Sequence, residues 1–155
     1  MIKVGLFEPE IPPNTGNIAR LCAATGVALH LVGRLGFSLD DKQLARAGLD
    51  YWPSVNLNLH PDLTTCLATL PQSRIICFST RGTQTHDQVA FQEGDVLLFG
   101  PESRGLPNDI LARYPDIANR QQGRTLGFAS VVCQRAAGVE SATRRWVERV
   151  GNLAL

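Results

Sequence analysis

Short apolar runs separated by amphipathic stretches are the main pattern along the first two thirds of this chain. The runs cover residues 2–7, 28–32, 74–80 and 95–100, and a weaker run covers residues 52–59. Their apolar residues are nearly continuous rather than alternating, which is typical of strands buried on both faces of a sheet. The spacing between them predicts helices over residues 17–26, 40–48, 63–70, 107–113 and 132–150.

Local signals set the ends of the first predicted helix. Pro12 and Pro13 predict a turn, and Asn14 or Thr15 can then cap the helix, which Gly26 is predicted to end. The alternation of strands and helices favours an α/β fold, with a parallel sheet covered by helices on both faces. Ligands of such sheets bind at the carboxyl ends of the strands.

Polar loops that contain glycine follow three of the predicted strands. They read EPEIPPNTGN after Phe7, RGTQTH after Thr80 and PESRG after Gly100. The last of these places a carboxylate, a hydroxyl and a guanidinium between two glycines, and Gly100 permits a sharp turn and the close approach of a flat ligand. The alternative is an ordinary turn whose polar side chains have no function, but this composition at the end of a strand is typical of a functional loop.

The first loop leads into a helix that carries Arg20. A helix N-terminus with a nearby guanidinium suits an anion such as phosphate. The loop matches neither the P-loop pattern nor the dinucleotide-binding fingerprint. An ordinary capped helix with a solvent-facing arginine is the alternative interpretation of this segment alone.

Composition places the chain in the class of single-domain globular proteins, with one domain over residues 1–155. Apolar residues make up 44% and charged residues 19%, which is typical of a folded domain. No apolar run approaches the ~20 residues of a membrane span, and the N-terminus is too short and acidic for a secretory signal. The four cysteines and three histidines are dispersed, which predicts reduced thiols, a cytoplasmic protein and no metal site.

Charge is distributed unevenly along the chain. Residues 1–103 contain 7 basic and 10 acidic residues, a net of −3, whereas residues 104–155 contain 8 arginines and 4 acidic residues, a net of +4. A basic last third favours a phosphate-rich partner. A solvated basic helix is the alternative.

Three motifs, taken together, resemble a known family. NTGNIAR (residues 14–20), FGPESRGLP (residues 99–107) and RTL (residues 124–126) are similar, in order and spacing, to the three motifs of the SpoU (TrmH) branch of the SPOUT RNA methyltransferases. The resemblance is strongest to the small TrmL-type members, which methylate the 2′-hydroxyl of cytidine or uridine 34 in tRNA. It runs from the first strand to about residue 126.

The resemblance implies a fold, a cofactor and an assembly. The fold is a parallel α/β sheet whose C-terminal part forms a deep trefoil knot. S-adenosylmethionine is bound in the knot, and the matching positions here are Phe78, Gly100, Ile117 and Thr125, which act largely through backbone groups. The family functions as a homodimer, with the last helix at the interface and the substrate bound across two subunits.

The resemblance also implies catalytic residues. Arg20, in the first motif, positions the ribose 2′-hydroxyl and accepts its proton, and Glu102, in the second, holds Arg20. Asn14 and Asn17 shape the pocket. The expected partner is the anticodon stem-loop of tRNA, and the reaction needs no metal or membrane.

The sequence departs from the family pattern after Arg124. The family reads close to SLNLSNA and then a helix with YEA, whereas this chain reads TLGFASV and then CQRAAGVESATRRW. Gly127 and Ser130 stand in place of the two asparagines. Local divergence and a shifted reading frame in the coding DNA are the two interpretations.

Three alternatives to a wobble-specific tRNA enzyme are open at this point. The first is a 2′-O-methyltransferase that acts on ribosomal RNA. The second is a protein with the SPOUT fold that binds RNA but is catalytically impaired, which the departure after Arg124 supports. The third, a generic nucleotide-binding α/β enzyme, requires the three-motif match to be set aside.

Overall fold

The computed structural model of the chain describes residues 2–40, 52–115 and 117–119. The strands are β1 (Lys3–Phe7), β2 (Ala28–Val32), β3 (Leu57–His60), β4 (Ile75–Ser79), β5 (Gln84–Thr85), β6 (Val96–Phe99) and β7 (Ile117–Asn119). The α-helices are α1 (Pro12–Thr25), α2 (Leu63–Ala68) and α3 (Asn108–Arg113). The predicted helix over 132–150, and that over 40–48 beyond its first residue, lie outside the described residues.

All seven strands belong to one sheet, in the order β3-β2-β1-β6-β4-β7-β5. Every pair of neighbours is parallel. The predicted parallel α/β fold is therefore confirmed. The order places β1 beside β6, with Lys3 opposite Val96 and Leu6 opposite Phe99, so segments far apart in the sequence meet near the centre of the sheet.

The two faces of the sheet are covered by different helices. On one face, Ile18, Leu21 and Cys22 of α1 pack with Ile76 and Phe78 of β4 in one buried cluster. On the other face, α2 and α3 pack against the intervening strand positions; these residues are Leu63, Leu67, Ile75, Cys77, Leu98, Ile110 and Leu111. Alternate side chains of one strand thus enter different cores, which explains why the strands read as continuous apolar runs.

Two element boundaries differ from the sequence prediction. α1 begins at Pro12, five residues before the predicted start, because proline is compatible with the first helical turn, where backbone N–H groups have no partner within the helix. Its N-cap is Ile11 and has no side-chain cap bond, so neither Asn14 nor Thr15 is the cap. The predicted strand over 52–59 is a short 3-10 turn, Trp52–Ser54, followed by β3.

Gly26 ends α1 as predicted, in the left-handed conformation with φ 72°. Among the described residues, none of the helices has both the length and the apolar character that a membrane crossing requires.

Candidate active site

Three loops meet at the carboxyl edge of the sheet, as the sequence predicted. β1, β6 and β4 are neighbours and end level with one another, since Leu6 lies opposite Phe99 and Phe99 opposite Phe78. The loop after β1, here the first loop, covers residues 8–11, and the loop after β6, here the central loop, covers residues 100–106. The loop after β4 begins at Thr80.

Glu102 joins the central loop to the start of α1. One of its carboxylate oxygens, Oε2, accepts from the backbone N–H of Glu10 at 2.8 Å. The other, Oε1, accepts from the backbone N–H of Ile11 and from the side-chain amide of Asn14, each at 3.3 Å. Glu102 therefore satisfies backbone donors next to the helix N-terminus and fixes the Asn14 side chain.

A second set of bonds runs in the opposite direction between the same two loops. The backbone N–H and the hydroxyl of Ser103 donate to the Glu10 carboxylate at 2.9 and 2.8 Å. The Arg104 guanidinium pairs with Glu8 and lies 3.4 Å from Glu10 Oε1. The hydrogen bonds from Ser103 are the main cause that lowers the pKa of the Glu10 carboxyl, and the charge of Arg104 adds to it.

Arg20 lies further along α1 than the sequence predicted. Because the helix begins at Pro12, Arg20 is in its third turn rather than one turn from the start. Asn14, Asn17 and Arg20 follow one another at intervals of three residues, so they lie along one side of α1, and all three are half-buried. The bonds that the structure gives Glu102 run to the first loop and Asn14, so its predicted contact with Arg20 stays a prediction.

Gly100 is required by the chain itself. A Cβ at this position would overlap the backbone N of Leu106 and the carbonyl C of Gly105. Gly105 N donates to the Pro101 carbonyl at 2.9 Å, which closes the central loop back over Gly100. The sequence analysis explained this glycine by a sharp turn and by the approach of a flat ligand. The close return of the chain's own backbone fits the sharp turn, and the contact with a ligand stays a prediction.

The cofactor positions that can be located lie on, or directly after, three adjacent strands. Phe78 of β4 lies opposite Phe99, which precedes Gly100, and opposite Ala118, which follows Ile117. Thr125 lies outside the described residues. Level strand ends bring the backbone N–H and C=O groups of neighbouring loops together, which fits a ligand with several polar edges such as S-adenosylmethionine.

The Phe78 side chain belongs to the core rather than to a binding surface. It is 5% exposed, and its ring is stacked on that of Phe99 with centroids 4.6 Å apart. A contact between Phe78 and a cofactor therefore has to use its backbone, as the family resemblance implies.

A second polar cluster was missed by the sequence analysis, which treated the histidines as scattered. His30 of β2, His60 of β3 and Cys66 of α2 place their metal-ligand-type atoms within 4.8 Å of one another. His30 Nδ1 lies 2.9 Å from His60 Nε2, and the two rings are nearly parallel with centroids 5.2 Å apart. The rings thus face each other edge to edge, which fits a proton shared between two imidazoles better than two lone pairs directed at one metal ion.

We expect the His30–His60 pair to make the fold sensitive to acid. Burial, and then the proximity of His60 and Lys3, lowers the pKa of His30 to about 4. An unfolded histidine has a pKa near 6.5, so between these values the unfolded chain binds a proton that the folded chain excludes. Stability is therefore complete above about pH 6.5, and about 3 kcal/mol of it is lost as the pH falls towards 4.

Urea denaturation at several pH values between 7 and 4 measures this loss. The His30→Gln variant keeps a polar side chain of similar reach but does not titrate, and its pH dependence over this range should be shallower. Identical pH profiles for the two proteins would show that His30 is not the responsible group.

The sequence of this chain is similar to those of known proteins. The family described as the "SpoU rRNA Methylase family" matches residues 1–123. A protein from Methylovorus glucosotrophus (strain SIP3-4) named tRNA (cytidine(34)-2′-O)-methyltransferase is 56% identical over 114 residues, which are 74% of each chain.

Solved structures also match this chain, and they have the same fold. A structure that bears on the 2-OH methylation of C/U34 on tRNA superposes with a TM-score of 0.76, at 43% identity, over 97% of each chain. The SpoU methyltransferase AviRb from Streptomyces viridochromogenes, in complex with the cofactor AdoMet, superposes with a TM-score of 0.74 over 92% of this chain and 58% of that chain. At 17% identity, this second match shows the fold alone.

Proposed function

The chain belongs to the SpoU rRNA methylase family, and on that premise we propose that it transfers a methyl group from S-adenosylmethionine to the ribose 2′-hydroxyl of cytidine or uridine 34 in tRNA. The relative with that activity in its name and the structure concerned with C/U34 support this assignment within the family. The observation that carries this assignment is that Glu102 accepts hydrogen bonds from the Glu10 backbone and from Asn14 in the first turn of α1. These bonds join the helix that carries Arg20 to the loop predicted to hold the cofactor.

Activation of the acceptor is assigned to Arg20. A ribose hydroxyl is a poor nucleophile, so its proton must be accepted or its developing negative charge stabilised. The guanidinium offers several N–H donors in a fixed plane, which suits a ribose oxygen next to a phosphate. Asn14, held by Glu102 at 3.3 Å, and Asn17 line the same side of α1 and shape the acceptor pocket.

The cofactor is assigned to the backbones of Phe78, Gly100 and Ile117, together with Thr125. When bound, S-adenosylmethionine supplies an electrophilic methyl group on a positively charged sulfur. The chain's part is to hold the acceptor oxygen in line with that methyl group, which is a matter of positioning. We expect the reaction to proceed in the presence of EDTA, since no step in this scheme uses a metal ion.

A C-terminal trefoil knot and a homodimer complete the proposal. Both are implied by the resemblance to the family whose model matches residues 1–123, and both would use the basic last third of the sequence, residues 104–155. The arginines of this basic segment would contact the phosphates of the anticodon stem-loop, which predicts that transfer weakens as the salt concentration rises.

Methyl transfer to a defined RNA tests the proposed function. The purified protein is incubated with radiolabelled S-adenosylmethionine and an unmodified tRNA, and the product is digested and mapped. We expect the label on the ribose of nucleotide 34. The matched control is the same RNA with a 2′-deoxy nucleotide at position 34, which lacks the acceptor and should remain unlabelled.

Two results would contradict the proposal. Equal labelling of the 2′-deoxy RNA would exclude the 2′-hydroxyl of nucleotide 34 as the acceptor. Labelling of ribosomal RNA alone, or calorimetry without any binding of S-adenosylmethionine, would favour the ribosomal or the non-catalytic alternative.

A further inference from the structure

Two glutamates, one from each loop, link the first loop to the central loop at the candidate active site. Glu102 of the central loop accepts from the backbone of Glu10 at 2.8 Å. Glu10 of the first loop accepts from the backbone of Ser103 at 2.9 Å. Each carboxylate thus accepts a hydrogen bond from the backbone of the opposite loop, at or beside the other glutamate. The two loops are therefore joined twice, in opposite directions.

The position of Glu10 is fixed from behind by a third segment. Gly36 N donates to the Pro9 carbonyl at 2.9 Å. A Cβ on Gly36 would lie 2.8 Å from the Cα of Glu10, so the backbones are in close contact. The first loop therefore has little room to move away from the central loop, and the backbone from which the Glu10 side chain extends is held in place.

The hydrogen bonds from Ser103 outweigh the ion pair with Arg104. Arg104 is 55% exposed, and ion pairs of exposed side chains typically contribute little because water and salt screen them. The Ser103 backbone N–H and hydroxyl both bind the same ionised carboxylate at normal distances, and such charge-assisted bonds are about twice as strong as neutral ones. The carboxylate of Glu10 is therefore the main link from this side.

We propose that Glu10 is a positioning residue for methyl transfer, which acts through Ser103 and Glu102. This inference rests on the proposed function. The Glu10 carboxylate binds Ser103, the residue after Glu102, and so keeps Glu102 next to α1. This contact would set the distance between Arg20, which binds the acceptor ribose, and Gly100, where the cofactor lies. Glu10 itself touches neither substrate nor cofactor in this role.

Two variants separate positioning from simple folding. Glu10→Gln keeps an oxygen acceptor for Ser103 but removes the charge, and its kcat should fall about threefold. Glu10→Ala removes the acceptor, and its kcat should fall about 30-fold, with the KM for tRNA and the Kd for S-adenosylmethionine changed by less than threefold. Asp109→Asn is the matched control, since it removes one exposed acidic charge on α3, and it should retain full kcat.

A double variant tests the link to Ser103. Ser103→Ala loses the hydroxyl but keeps the backbone N–H, so its kcat should fall only about threefold. Glu10→Ala combined with Ser103→Ala should be no slower than Glu10→Ala alone, because both changes remove the same interaction. Full additivity of the two losses would overturn the inference.

The outcomes also distinguish this inference from the proposed function. If the unaltered protein methylates nucleotide 34 and Glu10→Ala does so equally fast, the positioning role is wrong and the function stands. If the loss of kcat in Glu10→Ala equals its loss of folded protein by circular dichroism, Glu10 is structural only. If the unaltered protein transfers no methyl group to tRNA, the proposed function itself fails.

Discussion

Replacing Arg20 by alanine is expected to lower kcat for methyl transfer by about 1,000-fold and to leave S-adenosylmethionine binding intact. The size follows from removing the cation that orients the 2′-hydroxyl and stabilises the negative charge developing on its oxygen, since one such electrostatic contact typically contributes a factor of about 100 to 1,000. Binding should persist because the cofactor is assigned to residues of β4 and β7 and to the loop after β6, whereas Arg20 lies on α1.

Single-turnover kinetics and calorimetry with S-adenosylmethionine measure the two effects separately. Arg34→Ala is the control, since it removes an exposed arginine in the segment after β2 and should retain most of the activity. Arg20→Lys should fall between the two, because lysine keeps the charge but lacks the planar set of donors. An Arg20→Ala enzyme with undiminished kcat would contradict the assignment.

Gly100→Ala is expected to destabilise the fold by about 3 kcal/mol and to reduce transfer by the remaining folded protein about 100-fold. The added methyl group would overlap the backbone of Gly105 and Leu106, and backbone atoms cannot turn away as the end of a side chain can. Overpacking of this kind typically costs about 1–3 kcal/mol. Displacement of the loop would also move Glu102, and a misplacement of about 1 Å can cost a factor of about 100 in rate.

Thermal unfolding measures the loss of stability, and single-turnover kinetics measure the loss of methyl transfer. The control is Gly94→Ala, where the backbone has φ +89° but no atom lies within 4 Å of the added Cβ. That variant should lose about 1 kcal/mol, from backbone strain alone. Equal stability of the two variants would show that the central loop adjusts to the methyl group, and that Gly100 is not required for the close approach.

The regular elements could be predicted from the sequence where burial decides them. β2 occupies Ala28–Val32 as predicted, because a strand covered on both faces is mostly apolar, and here only His30 departs from that pattern. The start of α1 was placed too late, because the two prolines at positions 12 and 13 are equally compatible with a turn and with a first helical turn. β5 and β7 have only two and three residues, too few for a periodic pattern.

The candidate site could be predicted in part, because each of its motifs is an unbroken stretch of sequence. Asn14 and Glu102 belong to separate motifs, and the structure shows that they meet, whereas the sequence analysis had paired Glu102 with Arg20. The exchange between Glu10 and Ser103 had no signal in the sequence, since it depends on β1 lying beside β6. The meeting of His30, His60 and Cys66 depends in the same way on the order of strands and helices.

The pairing of β1 with β6 also has a consequence for how the nascent chain folds. β1, β2 and β3 are neighbours in both sequence and sheet, so they can assemble while the chain is being synthesised. The other edge of β1, where Lys3 to Leu6 pair with Val96 to Phe99, has no partner until β6 leaves the ribosome. Throughout that interval a buried strand presents an open edge, which is the kind of surface that misassembles or recruits a chaperone. The candidate active site is built on this same pairing, so it can form only after β6 has been synthesised.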